Sequence, residues 1–382
     1  MNIALITSSA LSNKKEATWL TLHLLAKEYT KLGHKVIICA EKNKNLPTVE
    51  EIEGIKIHRL FKGKILNGRR SLQNIANTEK ISFDLIHGFS SSPLLVLNTY
   101  FAGRKFPKAK TVHTIKSYSK HQMLRTLFSG LLNSVDGATV PTKKLKGSIA
   151  ADAKLEQKIK VISSPINTAK FKPRDQEALK DKHGYKEKKI ILYYGAIREE
   201  KGVDALIQAI PLVVKEYRDG KKSEKNKELK FIFAIRSRAE EKKEKYLAMA
   251  RSLGCEKHIN IILDDLPIEE YVSMADMVVL AYPSLIGTES NPSCLFESMA
   301  AKTPVVTTNL PELREIFEPE KDVLMAEPKN VESLALQIKR LLEDPQLGKN
   351  LTESAYLKSK SFDVKIISKQ FLELYESLLK EN

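Results

Sequence analysis

Short apolar runs alternate with longer amphipathic stretches along nearly the whole chain. This alternation is typical of βαβ units arranged around parallel sheets. In the first half, the apolar runs predict strands over residues 3–7, 36–40, 55–60, 85–87, 111–113, 138–140 and 161–162. Helical spacing of apolar residues predicts helices between them, notably over residues 19–32 and 123–135. We therefore expect an α/β fold in which helices cover parallel strands.

A turn-rich segment interrupts the alternation near the middle of the chain. It runs over residues 163–173 and contains Pro165 and Pro173, which continue neither a helix nor a central strand. The alternation then restarts, with strands predicted over residues 189–194, 231–235, 259–263, 277–280 and 305–307, and helices over residues 203–216, 240–253, 294–301 and 331–342. We predict two doubly wound Rossmann-like domains, residues 1–165 and 166–362, with a cleft between them. A terminal helix over residues 363–382 has an apolar face that must dock on another part of the protein.

Composition supports an ordinary soluble globular protein, because 42% of the 382 residues are hydrophobic and 29% are charged. The net charge of +16 is very unevenly placed. Residues 1–150 carry 24 basic and 9 acidic side chains, and residues 101–150 alone carry 10 basic and 1 acidic. A surface of this kind favours an anionic partner.

An amphipathic helix lies within this basic region, and we predict that residues 101–135 meet an anionic membrane surface. Its apolar stripe is formed by Met123, Leu124, Leu127, Phe128, Leu131 and Leu132, and the flanking cations are Arg104, Lys105, Lys108, Lys110, Lys116, Lys120 and Arg125. The alternative is an ordinary helix that faces the core and has a solvated flank. A nucleic-acid-binding protein is a further alternative, but no RRM, KH, zinc-finger or helix-turn-helix signature accompanies the charge.

Neither the cysteines nor the amino-terminal residues point to an exported protein. Cys39, Cys255 and Cys294 are odd in number and widely spaced, so they suit neither a disulfide framework nor a Cys-x-x-Cys metal site. The first residues lack the pattern of a signal peptide, and no apolar run reaches the roughly 18–20 residues that span a bilayer. We expect a cytoplasmic protein, peripheral at the cytoplasmic face of the membrane, with no metal and no cofactor.

Residues 195–202 have the character of an anion-binding turn. They follow a buried strand and precede a helix, so free backbone N–H groups and the helix dipole favour negative charge there. Arg198 and Lys201 add full positive charges between Gly195 and Gly202. The alternative is that Gly202 only begins the helix and that the two cations are solvated.

A second polar loop precedes the helix predicted over residues 294–301. In an open α/β sheet, ligands bind at the carboxyl ends of the strands, where such loops lie. Glu289 lies in this loop and Glu297 lies one turn into the helix. Carboxylates at these positions could accept hydrogen bonds from sugar or ribose hydroxyls. Acids that merely cap the helix are the alternative.

Taken together, these segments resemble the retaining glycosyltransferases of family 4, which have the GT-B fold. The family's Gly-x5-Lys-Gly turn is similar to residues 195–202, and its Glu-x7-Glu motif with a trailing Met-Ala-x3-Pro-Val-Val is similar to residues 289–306. Its interdomain segment resembles residues 165–173, and its amino-terminal Leu-Ala-x2-Leu-x3-Gly-His-x-Val resembles residues 25–36. The Thr-Val-His strand end that includes His113 matches the position of the family's active-site histidine.

The resemblance implies a donor site for a nucleotide diphosphate sugar. It assigns Lys201 to the phosphates, Glu297 to the ribose, Glu289 to the sugar and His113 to the sugar from the first domain. Catalysis would thus involve His113, Glu289 and Lys201, and the donor-binding set would be Gly195, Arg198, Lys201, Gly202, Glu289, Ser290, Asn291, Ser293, Cys294, Leu295 and Glu297. The resemblance further implies a terminal helix that crosses back to the first domain, transfer with retention, no metal, and a hydroxyl acceptor. Because the basic region predicts a membrane surface, we expect this acceptor to be lipid-linked or part of a cell-envelope glycan.

The chain departs from the family pattern at several positions. Ala196 replaces the usual arginine, and Arg198 is the nearby guanidinium that could substitute for it. The amino-terminal Gly-Gly is replaced by residues 12–16, a Gly-x-Gly is replaced by residues 234–238, and a further glycine is replaced by Lys302. These losses motivate a non-catalytic family member as an alternative. The alternative for His113 is a histidine bonded only to its local surroundings, which is the interpretation we give to His87 and His58.

Overall fold

The computed structural model describes residues 1–12, 16–61, 67–117, 122–150, 152–219, 227–235, 240–286 and 288–381. The chain forms two compact units. Unit 1 consists of Met1–Ile166, Ile286–Asn291 and Phe362–Asn382, and unit 2 consists of Asn167–Leu285 and Pro292–Ser361. The predicted boundaries did not anticipate that the short segment Ile286–Asn291 would cluster with the first unit. The replaced residues 13–15 and 236–238, Lys120, and the side chains of Met123, Leu124 and Arg125 lie outside what is described.

The strands belong to two sheets. Unit 1 contains β1 (Asn2–Thr7), β2 (Lys35–Glu41), β3 (Val49–Ile52), β4 (Ile55–Phe61), β5 (Leu85–Phe89), β6 (Lys110–Thr114), β7 (Gly137–Val140) and β8 (Ile159–Val161). Unit 2 contains β9 (Lys188–Gly195), β10 (Glu228–Ile235), β11 (Ile259–Ile262), β12 (Met277–Leu280), β13 (Val305–Thr308) and β14 (Leu324–Ala326). The continuous apolar runs within β1 and β9 suit strands that helices cover on both faces.

The helices connect these strands. They are α1 (Ala17–Lys31), α2 (Asn67–Glu79), α3 (Pro93–Gly103), α4 (Gln122–Leu132), α5 (Lys143–Ile149), α6 (Ala153–Lys158), α7 (Gln176–Lys182), α8 (Val203–Asp219), α9 (Glu240–Ser252), α10 (Ile268–Met274), α11 (Ser293–Ala300), α12 (Pro311–Arg314), α13 (Val331–Glu343), α14 (Pro345–Ser359) and α15 (Val364–Lys380). Short 3₁₀ turns lie at Glu199–Lys201, Glu256–His258 and Lys360–Phe362.

The strand order confirms two doubly wound sheets. Within the described chain, the sheet of unit 1 has the order β3-β4-β2-β1-β5-β6-β7-β8, and that of unit 2 has the order β11-β10-β9-β12-β13-β14. All neighbouring strands are parallel except β3 and β4. In unit 2 the order reverses between β9 and β12. The crevice beyond the carboxyl ends of these two strands is the expected ligand-binding position in such a sheet.

Several elements differ from the sequence-based predictions. The pattern does not predict β3, because its sequence, Val-Glu-Glu-Ile, has no apolar run and the strand lies at the sheet edge. Nor does it predict β14, which has only three residues. β8 spans Ile159–Val161 rather than residues 161–162, and α4 ends at Leu132 rather than at residue 135.

Helix α15 is part of unit 1. Ile367, Phe371, Tyr375 and Leu378 join a core cluster that also contains Leu22 of α1. Backbone hydrogen bonds hold the start of the helix to Ile166. The N–H of Ile166 donates to the carbonyl oxygen of Phe362, and the N–H of Val364 donates to the carbonyl oxygen of Ile166, each at 2.9 Å. The apolar face that the sequence displays is therefore buried in the same unit as β1 and α1. Among the described residues, no helix combines the length and apolar character needed to cross a membrane.

Candidate donor site and the residues around it

The turn between β9 and α8 depends on a glycine at its last position. Gly202 has φ of +70°, in the left-handed region, and ends the 3₁₀ turn Glu199–Lys201. A Cβ atom at this position would lie 1.7 Å from the carbonyl oxygen of Ala281. Ala281 directly follows β12, so the missing side chain lets the turn lie against the end of the neighbouring strand. This places the turn at the point where the strand order of unit 2 reverses.

The two predicted cations of the turn have different surroundings. The Nζ atom of Lys201 lies over the ring of Tyr282, 5.1 Å from its centroid. Tyr282 is buried and lies two residues after β12, so Lys201 has a fixed apolar neighbour at the carboxyl end of that strand. Arg198 is exposed, in an extended backbone conformation just before the 3₁₀ turn. The structure thus anchors Lys201 and leaves Arg198 at the surface.

Glu297 is a buried carboxylate on α11, with 5% of its surface exposed. The hydroxyl of Tyr194 lies 3.1 Å from Glu297 Oε2 and 2.7 Å from the carbonyl oxygen of Cys294, and it can donate to either. Because Tyr194 immediately precedes Gly195, this tyrosine joins the strand before the turn over residues 195–202 to the helix that carries Glu297. Sequence reasoning missed Tyr194, since an apolar strand marks it only as part of the core.

The remaining predicted donor residues of unit 2 lie at the start of the same helix. Ser293 is the first residue of α11 and is partly exposed. The Sγ atom of Cys294 lies 3.7 Å from the carbonyl oxygen of Tyr194, and Leu295 is fully buried. The amino end of a helix favours negative charge through its dipole. Unit 2 therefore brings together a cationic turn, a helix start and a buried carboxylate.

Glu289 and Ser290 belong to unit 1, where they contact the loop after β6. Ser117 and Glu289 form an isolated antiparallel bridge. The backbone N–H and the hydroxyl of Ser290 both donate to the carbonyl oxygen of Lys116, each at 3.2 Å. The Nζ atom of Lys116 lies 3.8 Å from Glu289 Oε1. This pairing connects segments far apart in sequence, since Lys116 and Ser290 are separated by 174 positions.

Lys116 corrects one part of the sequence interpretation. The sequence groups it with the surface cations, but it is only 8% exposed. Its Nζ atom donates to Thr21 Oγ1 at 3.1 Å. Burial lowers the pKa of Lys116, and the nearby carboxylate of Glu289 acts in the opposite direction. Sequence reasoning also missed the contact between Lys116 and Glu289, because one lysine in a basic segment carries no signal of its own.

Asn291 is the next residue of the same segment and is 1% exposed. Neither its Oδ1 nor its Nδ2 atom has a hydrogen-bond partner within the described part of the protein. Buried polar groups are nearly always hydrogen-bonded, so these two atoms are available to a ligand or to water.

His113 lies on β6 and is fully buried. Its Nε2 atom lies 3.2 Å from the carbonyl oxygen of Ser90, to which it donates, and its Nδ1 atom lies 3.3 Å from Thr99 Oγ1. Gly88 on the adjacent strand makes room for the ring, because a Cβ there would lie 2.5 Å from Nδ1. Burial lowers the pKa of His113 to about 4, against the opposing effect of the bond to Ser90. The ring is therefore neutral near pH 7, and its role at a sugar stays a prediction.

His87 takes part in a different, internal network. Its Nδ1 atom lies 2.6 Å from the hydroxyl of Tyr375 on α15, and its Nε2 atom lies 2.7 Å from Thr114 Oγ1. Tyr375 in turn contacts the hydroxyl of Tyr29 at 3.3 Å. His58 is buried and lies 3.4 Å from a carboxylate oxygen of Glu79. Both histidines have local partners, as the sequence interpretation predicts for them.

In the basic region of unit 1, several predicted cations are exposed, but the predicted apolar stripe is partly buried. Arg104, Lys105 and Lys108 are exposed beside α3. Phe128 and Leu132 of α4 pack in the core, so the predicted apolar stripe is not free as a whole. Leu127 is exposed, as are Leu94 and Phe101 of α3, which the sequence interpretation did not include. The exposed apolar residues therefore come from two helices rather than from one.

The cysteines are separate from one another, and none forms a disulfide. Cys39 and Cys255 are buried, and Cys294 is partly exposed. Within the described ranges, no group of three or more His, Cys, Asp and Glu side chains is arranged to hold a metal ion.

Two Rossmann-like units, each built on a doubly wound and mainly parallel sheet, are the architecture of the GT-B glycosyltransferases. The sequence profile described as Glycosyl transferases group 1 matches residues 175–358. The profile described as Glycosyltransferase Family 4 matches residues 20–170. The chain belongs to the group 1, family 4 glycosyltransferases, which confirms the resemblance.

Individual relatives are distant in sequence and close in fold. The chain is 24% identical over 291 residues to the putative glycosyltransferase YtcC of Bacillus subtilis strain 168, a match that covers 72% of this chain and 67% of YtcC. A glycosyltransferase structure from Rickettsia africae superposes with a TM-score of 0.79 at 21% identity, covering 100% of this chain and 99% of that one. The Anabaena Alr3699/HepE structure in complex with UDP-glucose gives a TM-score of 0.79 at 17% identity, covering 99% and 100%. At these identities the structural likeness establishes the fold alone.

Proposed function

We propose that this protein is a retaining glycosyltransferase that moves a sugar from a nucleoside diphosphate sugar to a hydroxyl acceptor. The observation that carries the proposal is the arrangement in unit 2, where the lysine turn at Gly202 lies against the end of β12 and Tyr194 contacts Glu297. A diphosphate needs positive charge and backbone donors, and a ribose needs a hydrogen-bond acceptor. The turn and the carboxylate supply these two needs.

Lys201 and the amino end of α8 are proposed to bind the diphosphate. Cleavage of the sugar–phosphate bond moves negative charge onto the leaving phosphate. A fixed cation and a helix dipole directed at that phosphate stabilise the transition state. The Tyr282 ring beneath its Nζ atom favours this position of Lys201 before the donor binds. In this proposal protein groups neutralise the developing charge, so the reaction proceeds without a metal ion.

Glu297 is proposed to accept hydrogen bonds from the ribose, and Glu289 from the donor sugar. The acceptor hydroxyl then attacks the face of the sugar from which the phosphate departs. The leaving phosphate oxygen takes the acceptor proton, a carbon–oxygen bond to the acceptor forms, and the bond to the phosphate breaks. The anomeric configuration is retained. The Nε2–H group of the neutral His113 ring would then donate to a sugar hydroxyl instead of to the carbonyl oxygen of Ser90.

The donor is tested by thermal shift with UDP-, GDP- and ADP-sugars. UDP-glucose is the first candidate, because the Anabaena structure of similar fold contains it. A donor at 100 times its dissociation constant should add about 2.7 kcal/mol to the free energy of unfolding. Glu297→Gln is the control, since it should lose this stabilisation and keep the fold.

Turnover of the donor that binds is then followed by release of the nucleoside diphosphate, and NMR of the product gives the anomeric configuration. An inverted product would refute retention. Activity that requires an added divalent ion after chelator treatment would refute metal independence. If no donor binds and none is consumed, the protein is not a catalyst of this reaction.

The acceptor is proposed to bind unit 1 and to be lipid-linked, as in the assembly of a cell-envelope glycan. Support comes from the exposed cations Arg104, Lys105 and Lys108, with Phe101 and Leu94 exposed on the neighbouring helix. Each basic side chain near an anionic leaflet contributes about 1 kcal/mol, so a few suffice for reversible binding. Under this proposal the protein works at the cytoplasmic face of a membrane.

Co-sedimentation with vesicles tests this part of the proposal. Vesicles that contain anionic lipid should bind the protein at low salt and release it at high salt, because the interaction is screened. Reversal of charge at Arg104, Lys105 and Lys108 to Glu should abolish binding. The matched control reverses three exposed lysines of unit 2, Lys245, Lys257 and Lys349, and should leave most binding intact. Equal binding to neutral and anionic vesicles, or none to either, would favour a soluble acceptor.

A further inference from the structure

Lys116 holds the segment that carries Glu289 through its backbone. Its carbonyl oxygen accepts two hydrogen bonds from Ser290, one from the N–H and one from the hydroxyl, each at 3.2 Å. The following residue, Ser117, pairs with Glu289 in an antiparallel bridge. Lys116 directly follows Ile115, whose N–H donates to Thr139 at 3.0 Å, so it lies in a loop that the sheet of unit 1 supports. The segment of Glu289 is thereby fixed to a rigid part of the unit.

The side chain of the same residue approaches the carboxylate. Nζ lies 3.8 Å from Glu289 Oε1 and donates to Thr21 Oγ1 on α1 at 3.1 Å. The ammonium is nearly enclosed, whereas the side chain of Glu289 is 27% exposed. Oε1 of Glu289 therefore lies near Lys116, while part of the Glu289 side chain stays accessible from outside the unit.

A buried ammonium is costly unless an opposite charge compensates it. A long lysine side chain also carries no advantage over an apolar residue in a core. The attraction between the Lys116 ammonium and the Glu289 carboxylate offsets part of the cost of burying that ammonium. Desolvation by burial lowers the pKa of Lys116, and Glu289 is the charged group that opposes this shift. Among the side chains that the structure describes, Glu289 is the acidic partner of this lysine.

We propose that Lys116 is a positioning residue for Glu289. Its carbonyl oxygen fixes the backbone at Ser290, and its ammonium orients the Glu289 carboxylate to accept hydrogen bonds from the hydroxyls of the donor sugar. This inference rests on the proposed function, because the role of Glu289 does. It adds a residue that acts from within unit 1 and touches the carboxylate rather than the substrate. The two interactions together set both the position and the orientation of the acid.

A double-mutant cycle with Lys116→Met and Glu289→Gln tests the inference. Misplacement of a reacting group by about 1 Å can cost on the order of a hundredfold in rate. We therefore expect Lys116→Met to lower kcat by roughly ten- to a hundredfold, with a smaller change in the donor KM. If Lys116 acts through Glu289, the double variant should be no slower than Glu289→Gln alone. A residue with a separate structural role would give effects that multiply.

Two further variants complete the test. Lys116→Arg keeps the charge and the backbone interactions, so it should recover at least part of the lost kcat. Lys158→Met is the matched control, because Lys158 is another partly buried lysine of unit 1, with its Nζ atom bonded to the carbonyl oxygen of Asn133. It should keep kcat within threefold of the wild type. If Lys116→Met does not fold, Lys116→Gln replaces it in the same cycle.

Three outcomes would overturn the inference. Multiplicative effects in the double variant would mean that Lys116 does not act through Glu289. A Lys116→Met enzyme with the kcat of the wild type would remove any role in the reaction. A wild-type protein that transfers no sugar from any donor would overturn the proposed function and this assignment together, whereas an active wild type with multiplicative effects overturns this assignment alone.

Discussion

Replacement of Gly202 by alanine tests the geometry of the turn over residues 195–202 directly. The added Cβ would lie 1.7 Å from the carbonyl oxygen of Ala281, whereas real Cβ contacts are essentially never closer than 3.0 Å. The turn and the end of β12 must therefore separate by about 1.3 Å, the difference between these two distances. The obstacle is backbone, which cannot rotate away as a flexible side chain does. Lys201 precedes Gly202, so the same movement displaces the proposed phosphate ligand.

The expected loss has two parts. An alanine in the left-handed region costs about 1–2 kcal/mol, and overpacking in a close-packed region costs about 1–3 kcal/mol more. Gly254→Ala separates these parts, because Gly254 has φ of +66° and a Cβ added there would have open space for 4 Å around it. It should show only the backbone cost. We expect Gly202→Ala to lower the free energy of unfolding by about 2–5 kcal/mol and Gly254→Ala by about 1–2 kcal/mol.

Urea denaturation measures the two stabilities, and donor turnover measures the consequence for the site. A shift of about 1 Å predicts a loss on the order of a hundredfold in kcat/KM for Gly202→Ala, while Gly254→Ala should stay near the wild type. Equal stability losses in the two variants, together with unchanged donor turnover in Gly202→Ala, would refute the argument that Gly202 sets the position of the turn.

Three further predictions concern single side chains. Tyr194→Phe removes the hydroxyl that contacts Glu297 Oε2 and the Cys294 carbonyl, so the donor KM should rise about tenfold with little change in kcat, and a change in kcat alone would contradict it. Lys201→Ala should cut turnover by roughly 10²–10³, and a change under threefold would exclude Lys201 from the site. His113, whose pKa is lowered to about 4, should remain neutral with its proton on Nε2 between about pH 8 and pH 5 in NMR spectra of the ring, and titration near pH 6.5 would contradict its burial.

The lowered pKa of His113 also makes the free energy of unfolding depend on pH. The folded state binds this proton only near pH 4, whereas the unfolded chain binds it near pH 6.5. The stabilisation associated with the neutral ring is therefore complete above pH 6.5 and is lost as the pH falls towards 4. His87 adds to this trend, because burial lowers its pKa as well.

Much of the fold was predictable from local pattern. Continuous apolar runs such as that of β9 mark strands buried on both faces, and the spacing of Ile367, Phe371 and Tyr375 marks the buried face of α15. The candidate site was predictable where its residues are close in sequence. Lys201 and Gly202 are adjacent, and Glu289 and Glu297 belong to one short motif.

What only the tertiary structure decided is which distant residues meet. Lys116 looked like one more surface cation, and its burial beside Glu289 depends on the segment Ile286–Asn291 lying in unit 1. The sequence marks Tyr194 as a core residue, and only the fold brings its hydroxyl to Glu297, 103 positions away. Hydrophobic periodicity reports which face of one element is buried, because burial repeats with the period of that element. It carries no record of strand order or of loop packing, and these determine the partners of Lys116, Tyr194 and His113.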